Sequence, residues 1–307
     1  MKIERQKRIE GTTISGIIEN GGYHFTHVEI YQDGLINAWD LEDLNSMETR
    51  LQEPRLQVVT EVPPGKLLSI FGLGSYQILS ANWAHTPASY LELIKAKVAE
   101  LNPRLENLYT FSEEERALWK ERKIGLSAKS KVYHEIPGWF YDTEVGEAIP
   151  FFFKKDDENY LVRVAVFKSG LVQVACSAFE WTLDIAEVKT RFHAGDFFTE
   201  FQEPLVVHLG ELGVATIGHP EHHYPIELED KIEELFMAHE RLNGKDRFQI
   251  CRDAYHAYLE YPEDFYREEL RKAYLAIPEH ERMYLGDMDS KDGDYRRILF
   301  SDEKREV

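Results

Sequence analysis

The chain has 307 residues, 43% of them apolar and 30% charged, which is ample material for two hydrophobic cores in an ordinary globular protein. Its formal net charge is −19, from 55 acidic residues against 36 basic ones. So negative a surface repels phosphate backbones, which proteins grip mainly through lysine and arginine; this excludes nucleic acid as an expected partner and favours a protein with a basic surface.

From the N-terminus, Met1 to Arg8 runs straight into charged residues without an apolar stretch of signal-peptide length. Thr26-His-Val-Glu-Ile-Tyr-Gln-Asp-Gly-Leu-Ile then alternates in side-chain character about a polar-Gly turn, predicting a tight hairpin with Gly34 at positive φ. Leu44, Met47 and Leu51 fall on one stripe of a short helix. Lys66 to Ile78 reads strand, turn at Gly74, strand, and Leu91, Ile94, Val98 and Leu101 predict a longer amphipathic helix behind Pro87. Ser112 and Glu115 fit a capping box, so a connecting helix is expected from Ser112 to about Lys123. Arg116, Lys120, Arg122, Lys123, Lys129 and Lys131 make this connection locally basic, and it is expected to dock on the acidic body.

The same order then returns. Val162-Arg-Val-Ala-Val-Phe-Lys-Ser-Gly-Leu-Val answers the first hairpin, with Gly170 in the place of Gly34. Ile185, Val188 and Phe192 answer the short helix, Gly213 answers Gly74, and Ile232, Leu235 and Leu242 answer the longer helix, with His239 in the place of Val98 and Pro225 ahead of it. Each unit reads strand, strand, strand, helix, strand, strand, helix. The predicted fold class is α+β: two tandem diverged copies of a mainly antiparallel β-hairpin plus helix unit, followed by a C-terminal helical segment. The boundaries are 1–105 for the first unit, 106–136 for the connecting helix and basic linker, 137–244 for the second unit, and 245–307 for the C-terminal helical hairpin and tail.

Ala148 to Phe153, the most apolar run, has strand length and is far too short to span a membrane. Two cysteines, Cys176 and Cys251, are too few for a disulfide framework. A cytoplasmic protein with no membrane partner is the expectation. In the last region Asp246 caps a predicted helix carrying Cys251, Tyr255 and Tyr258 that stops before Pro262, and a second helix carries Leu270 and Tyr274 to about Ile277. The tyrosines read as core, because a phenol buries its ring and keeps its hydroxyl wet. Arg296 to Phe300 reads as an edge strand.

Chemistry is sparse. His219, His222 and His223, with Glu221 beside them, offer several zinc ligands, although adjacent histidines tend to point apart and a polar loop is the competing reading. Asp287, Asp289 and Asp292 resemble the start of a calcium loop, but Lys291 stands at its fifth position and Ile298 at its twelfth, which favours turn chemistry. His24 and His27, three apart in a strand, are expected on opposite faces. Cys251 with His256 would make a nucleophile and base only if the fold aligned them, and a structural cysteine is the commoner case. No nucleophile elbow, phosphate loop or zinc-protease helix is present.

Asn20-Gly-Gly-Tyr-His-Phe and Glu279-His-Glu-Arg-Met-Tyr-Leu-Gly-Asp-Met-Asp-Ser-Lys-Asp resemble uncharacterised bacterial proteins grouped as a domain of unknown function. The resemblance implies a bacterial, Gram-positive, intracellular setting and transfers no activity. The leading functional expectation is a non-enzymatic acidic protein-binding module of immunity or antitoxin type, with no cofactor. The alternatives are a metal-dependent hydrolase using the His219–His223 cluster with zinc, and a structural protein that self-assembles through hairpin edges.

Overall fold

The computed structural model describes residues 11–52, 57–120, 145–222, 226–286 and 294–300. Its first half contains strands β1 (Gly11–Glu19), β2 (Tyr23–Tyr31), β3 (Ile36–Ala38) and β4 (Asp40–Glu42), then helix α1 (Leu44–Arg50). Strands β5 (Gln57–Val59), β6 (Leu67–Ile70) and β7 (Gly74–Trp83) follow, and helix α2 (Pro87–Leu101) closes the half. Helix α3 (Glu113–Lys120) leads out of it, capped as the sequence predicts: the Ser112 and Glu115 side chains take up each other's backbone N–H groups at 3.1 and 2.8 Å.

The second half runs through β8 (Gly146–Lys155), β9 (Glu158–Phe167), β10 (Leu171–Ala175), β11 (Glu180–Asp184) and α4 (Ile185–Arg191). It continues with β12 (Phe197–Phe198), β13 (Leu205–His208), β14 (Gly213–Gly218) and α5 (Leu228–Leu242). Four of these strands, β4, β5, β11 and β12, were not separable in the sequence. With two to five residues each, they offer too little alternation to stand out from the loops around them.

Strand pairing is the same in the two halves. β1 pairs antiparallel with β2 and β5, β2 pairs antiparallel with β3 and parallel with β6, and β6 pairs antiparallel with β7. β8 pairs antiparallel with β9 and β12, β9 antiparallel with β10 and parallel with β13, and β13 antiparallel with β14. The halves join through β7 and β14, antiparallel neighbours in which buried Ile78 faces buried Ile217. Each isoleucine stands four residues after the glycine that opens its strand. Gly34 and Gly170, at the hairpin turns, have φ of 82° and 92°, a region a side chain enters at a cost.

The result is one 14-stranded sheet, and it curls. Counted along the pairings, six strand spacings separate β1 from β9, about 29 Å if the sheet were flat. Yet Arg163 Nη1 on β9 donates to Thr13 Oγ1 on β1 at 3.1 Å. The residues that meet across this curl belong to different halves, so the two are bound together by more than the central strand pair.

Three cores fill the fold. One packs α1 and α2 on the first half and takes in Phe152, Leu161 and Val207 of the second. Another gathers Phe151, Phe192, Phe197, Ile232 and Leu235, where burial of each large side chain is worth on the order of 2 kcal/mol. The third belongs to the C-terminal helices α6 (Arg247–Glu260) and α7 (Asp264–Leu275), with Cys251, Tyr258 and Tyr274 inside and Met237 reaching in from α5. The tyrosine stripe is thus core, and Asp246 caps α6 by accepting from Phe248 N at 2.9 Å. One reading is corrected: residues from Arg296 to Phe300 lie in a helix, α8 (Asp294–Phe300), and not in an edge strand, because Ile298 and Leu299 are buried together in the helical core.

Candidate functional site

A cleft of about 1700 Å³ lies between the halves. Its walls come from β1 and β2, the turn between β6 and β7, β8 and β9, the N-terminal end of α5, and a short 3-10 segment, Glu279–Tyr284, that follows α7. Glu180, Glu227, Asp230, Glu279 and Glu281 border it. Glu180 also accepts from Gln173 Nε2 at 3.0 Å, and two more carboxylates there are engaged, Glu147 with Arg241 and Glu211 with Ser15 N at 2.8 Å. The lysine and arginine among the lining residues are Lys97, paired with Glu100, and Arg163, held on Thr13. Phe71, 78% exposed at the tip of the β6–β7 turn, and the half-exposed Trp39 and Tyr284 add aromatic surface.

One wall of the cleft holds a group of ionisable side chains. Lys231 and Glu234 stand one turn apart on α5, and Lys231 Nζ lies 2.5 Å from Glu234 Oε2. His280 Nε2, from the 3-10 segment, lies 2.9 Å from the same oxygen, and Glu281 Oε1 is 3.7 Å from that nitrogen. Lys231 is fully buried, its ammonium 5.8 Å from the centre of the Phe151 ring. The first half seals it from the other side. A Cβ at Gly72, which has φ of 79°, would sit 3.2 Å from Lys231 Nζ and 3.6 Å from Pro150, so the turn of the first half approaches as backbone alone.

Burial opposes every charge in this group, and neighbours decide the outcome. Burial pulls the Lys231 amine below its usual range against the pull of Glu234. Burial would raise Glu234, but the hydrogen bond from His280 and the nearby Lys231 outweigh it and hold that carboxyl below the usual carboxylate range. Glu281 is raised, by burial first and then by the charge on Glu234. Among the described residues, the group of His, Cys, Asp and Glu side chains placed to share an ion is Glu234, His280 and Glu281, whose ligand atoms lie within 4.8 Å of one another.

The residues singled out in the sequence lie outside this group of ionisable side chains. His219 stacks on Phe201 with ring centroids 4.1 Å apart, and its Nε2 is 2.8 Å from the Phe201 carbonyl oxygen. His222 is exposed, and His223 falls outside the described residues, as do Asp287, Asp289 and Asp292. His24 lies beside the Trp39 ring at 5.6 Å and His27 beside Phe25 at 5.5 Å, both at the border of the cleft. Cys251 is buried, its thiol pushed up to about 11 by burial, while His256 is exposed on the other side of α6, so the two form no nucleophile and base. Of the basic connection, Arg116 is described on α3 and docks on Asp43 at 2.9 Å.

The α5 and 3-10 group was missed, although part of its signal was present. Lys231 precedes Leu235 by four residues and Ala238 by seven, which puts it on the apolar stripe of α5, where a lysine needs an anion. That the anion is Glu234, and that residues 46 and 47 positions further on return to join it, is long-range packing with no local sequence mark.

No helix among the described residues is long and apolar enough to cross a membrane. A family model described as a domain of unknown function (DUF7638) matches residues 1–105 and 135–246, and a second, also described as a domain of unknown function (DUF7639), matches residues 246–306. No curated protein and no solved structure matches the chain.

Proposed function

The chain belongs to the DUF7638 family, and we propose that it is a non-enzymatic binding protein whose acidic cleft receives a cationic segment of another cytoplasmic protein, in the manner of an immunity or antitoxin-type factor. The observation that carries this reading is the composition of the cleft: Glu180, Glu227, Asp230, Glu279 and Glu281 face it, while Lys97 and Arg163 are already paired. Carboxylates inside a concave surface focus the field of a chain with net charge −19, and exposed aromatic faces such as Phe71 attract ammonium and guanidinium groups. We further propose that the chain arose by duplication of one α+β unit, supported by identical strand pairing in the halves and by glycines of like φ at matching turns. On this account the binding surface is new, made where two old units meet.

The test uses the full chain and a fluorescent lysine- and arginine-rich peptide, with anisotropy read at low and at raised salt. The expected result is salt-sensitive binding that weakens at least about ten-fold in a Glu227→Lys, Asp230→Lys variant and much less in Glu263→Lys, Glu268→Lys at the start of α7, which carries the same change of net charge. Equal losses in the two variants, or no binding at low salt, would remove the cleft from the proposal.

A further inference from the structure

We infer that Glu234, His280 and Glu281 form a binding site for a first-row divalent transition ion, with zinc the best fit. One imidazole and two carboxylates make a mixed nitrogen and oxygen set, the donor chemistry that zinc accepts with three protein ligands and an open position. The three ligand atoms lie within 4.8 Å of one another, with His280 Nε2 2.9 Å from Glu234 and 3.7 Å from Glu281. Tetrahedral ligands about 2.1 Å from one ion are about 3.4 Å apart, so side-chain shifts of about 1–1.5 Å bring the set together.

One further observation favours a cation here. Glu281, with a side chain only 18% exposed, accepts no hydrogen bond among the described residues, so its carboxylate keeps lone pairs free for an ion. Lys231 already occupies one side of Glu234, and its bond and that from His280 converge on Oε2. An ion would therefore sit on the other side, towards Glu281, where His280 and Glu281 border the cleft and leave its remaining positions open to water or to a ligand. The site also joins two separately matched parts of the chain, since Glu234 lies in residues 135–246 and the other two ligands in 246–306. It stands on its own geometry and does not depend on the cationic partner proposed above.

The experiment is zinc titration of the full-length chain, expressed without a histidine tag and stripped with chelator, followed by calorimetry and elemental analysis, with magnesium as the comparison ion. One zinc per chain is expected, held at least about ten-fold more tightly than magnesium and weakened at least about ten-fold in Glu281→Gln and in His280→Ala, while His222→Ala leaves it unchanged. Glu281→Gln keeps the side-chain shape, so its loss of zinc with an unchanged circular dichroism spectrum separates ligation from folding. Absence of stoichiometric zinc, or zinc that survives Glu281→Gln and is lost in His222→Ala, overturns the assignment.

Discussion

Helices α2 and α5 are both 15 residues long and close their halves in the same way, yet they bury one long polar side chain by opposite means. With Leu91 set against Ile232 and Ile94 against Leu235, Tyr90 takes the place of Lys231, and both are fully buried. Tyr90 stays neutral: burial, then the charge of Glu211, pushes its phenol far above the usual range, and its hydroxyl donates to the Ser15 carbonyl at 2.7 Å. Lys231 instead needs Glu234, and through it His280 from beyond α7. A neutral hydrogen bond lets the first half close on itself, whereas a buried charge ties the second half to the C-terminal segment. A group of buried ionisable side chains has thus collected in one half, at a position where the other half carries a neutral hydrogen bond.

The sharpest way to break this contrast is to truncate both residues. Lys231→Ala leaves Glu234 buried with one partner fewer and is expected to cost about 3–5 kcal/mol, the range for breaking one side of a buried ion pair. Tyr90→Phe leaves a single carbonyl unpaired and should cost about 1 kcal/mol. Urea denaturation of the two variants measures both, and similar losses would mean that the two helices solve burial alike.

A second contrast concerns the helix starts. Asp43 begins α1 by accepting from Ser46 N at 2.7 Å, and its other oxygen accepts from Phe111 N at 2.8 Å and Arg116 at 2.9 Å. Asp184 begins α4 with one bond, from Ala186 N at 2.8 Å, and is exposed. Asp43→Ala should therefore cost about 3 kcal/mol and Asp184→Ala about 1 kcal/mol. Burial would raise the Asp43 carboxyl, but the bonds from Ser46, Phe111 and Arg116 prevail and hold it below its ordinary value. Its contribution is then complete above the unfolded carboxyl value near about pH 4 and is lost as pH falls through the lower folded value. Stability of the native chain should approach that of Asp43→Asn as pH falls below about 4, and a constant gap would show that the carboxylate charge is not what Asp43 supplies.

What could be read from the sequence was what repeats locally. The stripes of Met47 and Val188, the capping box of Ser112 and Glu115, the turn glycines and the tyrosine core all depend on neighbours a few residues away, and the structure places them as expected. The curl that brings Thr13 to Arg163 depends on how seven strands pair, and the meeting of Lys231, Glu234 and His280 on how a 3-10 segment packs against α5. Neither leaves a periodic trace. The one local anomaly is a lysine on an apolar stripe, a single residue that stands out in the sequence less than the histidine loop at His219, whose ligand-type residues are adjacent.

The smallest expected effect sharpens the equivalence of the halves. Gly34 and Gly170 have φ of 82° and 92°, and the tightest neighbour of a Cβ at either is an apolar side chain, Leu108 at 3.3 Å or Ile185 at 3.2 Å, with Leu44 at 3.8 Å and His239 at 3.7 Å behind them. The backbone penalty for a side chain in this left-handed region is about 1–2 kcal/mol, and the contacts are near enough in distance to add similar amounts. Gly34→Ala and Gly170→Ala should therefore lower stability equally, to within about 0.5 kcal/mol, and the double variant should lose the sum because the turns share no partner. A large loss at one turn and none at the other would show that the two hairpins only look alike, and that the likeness of their pairing carries no common energetics.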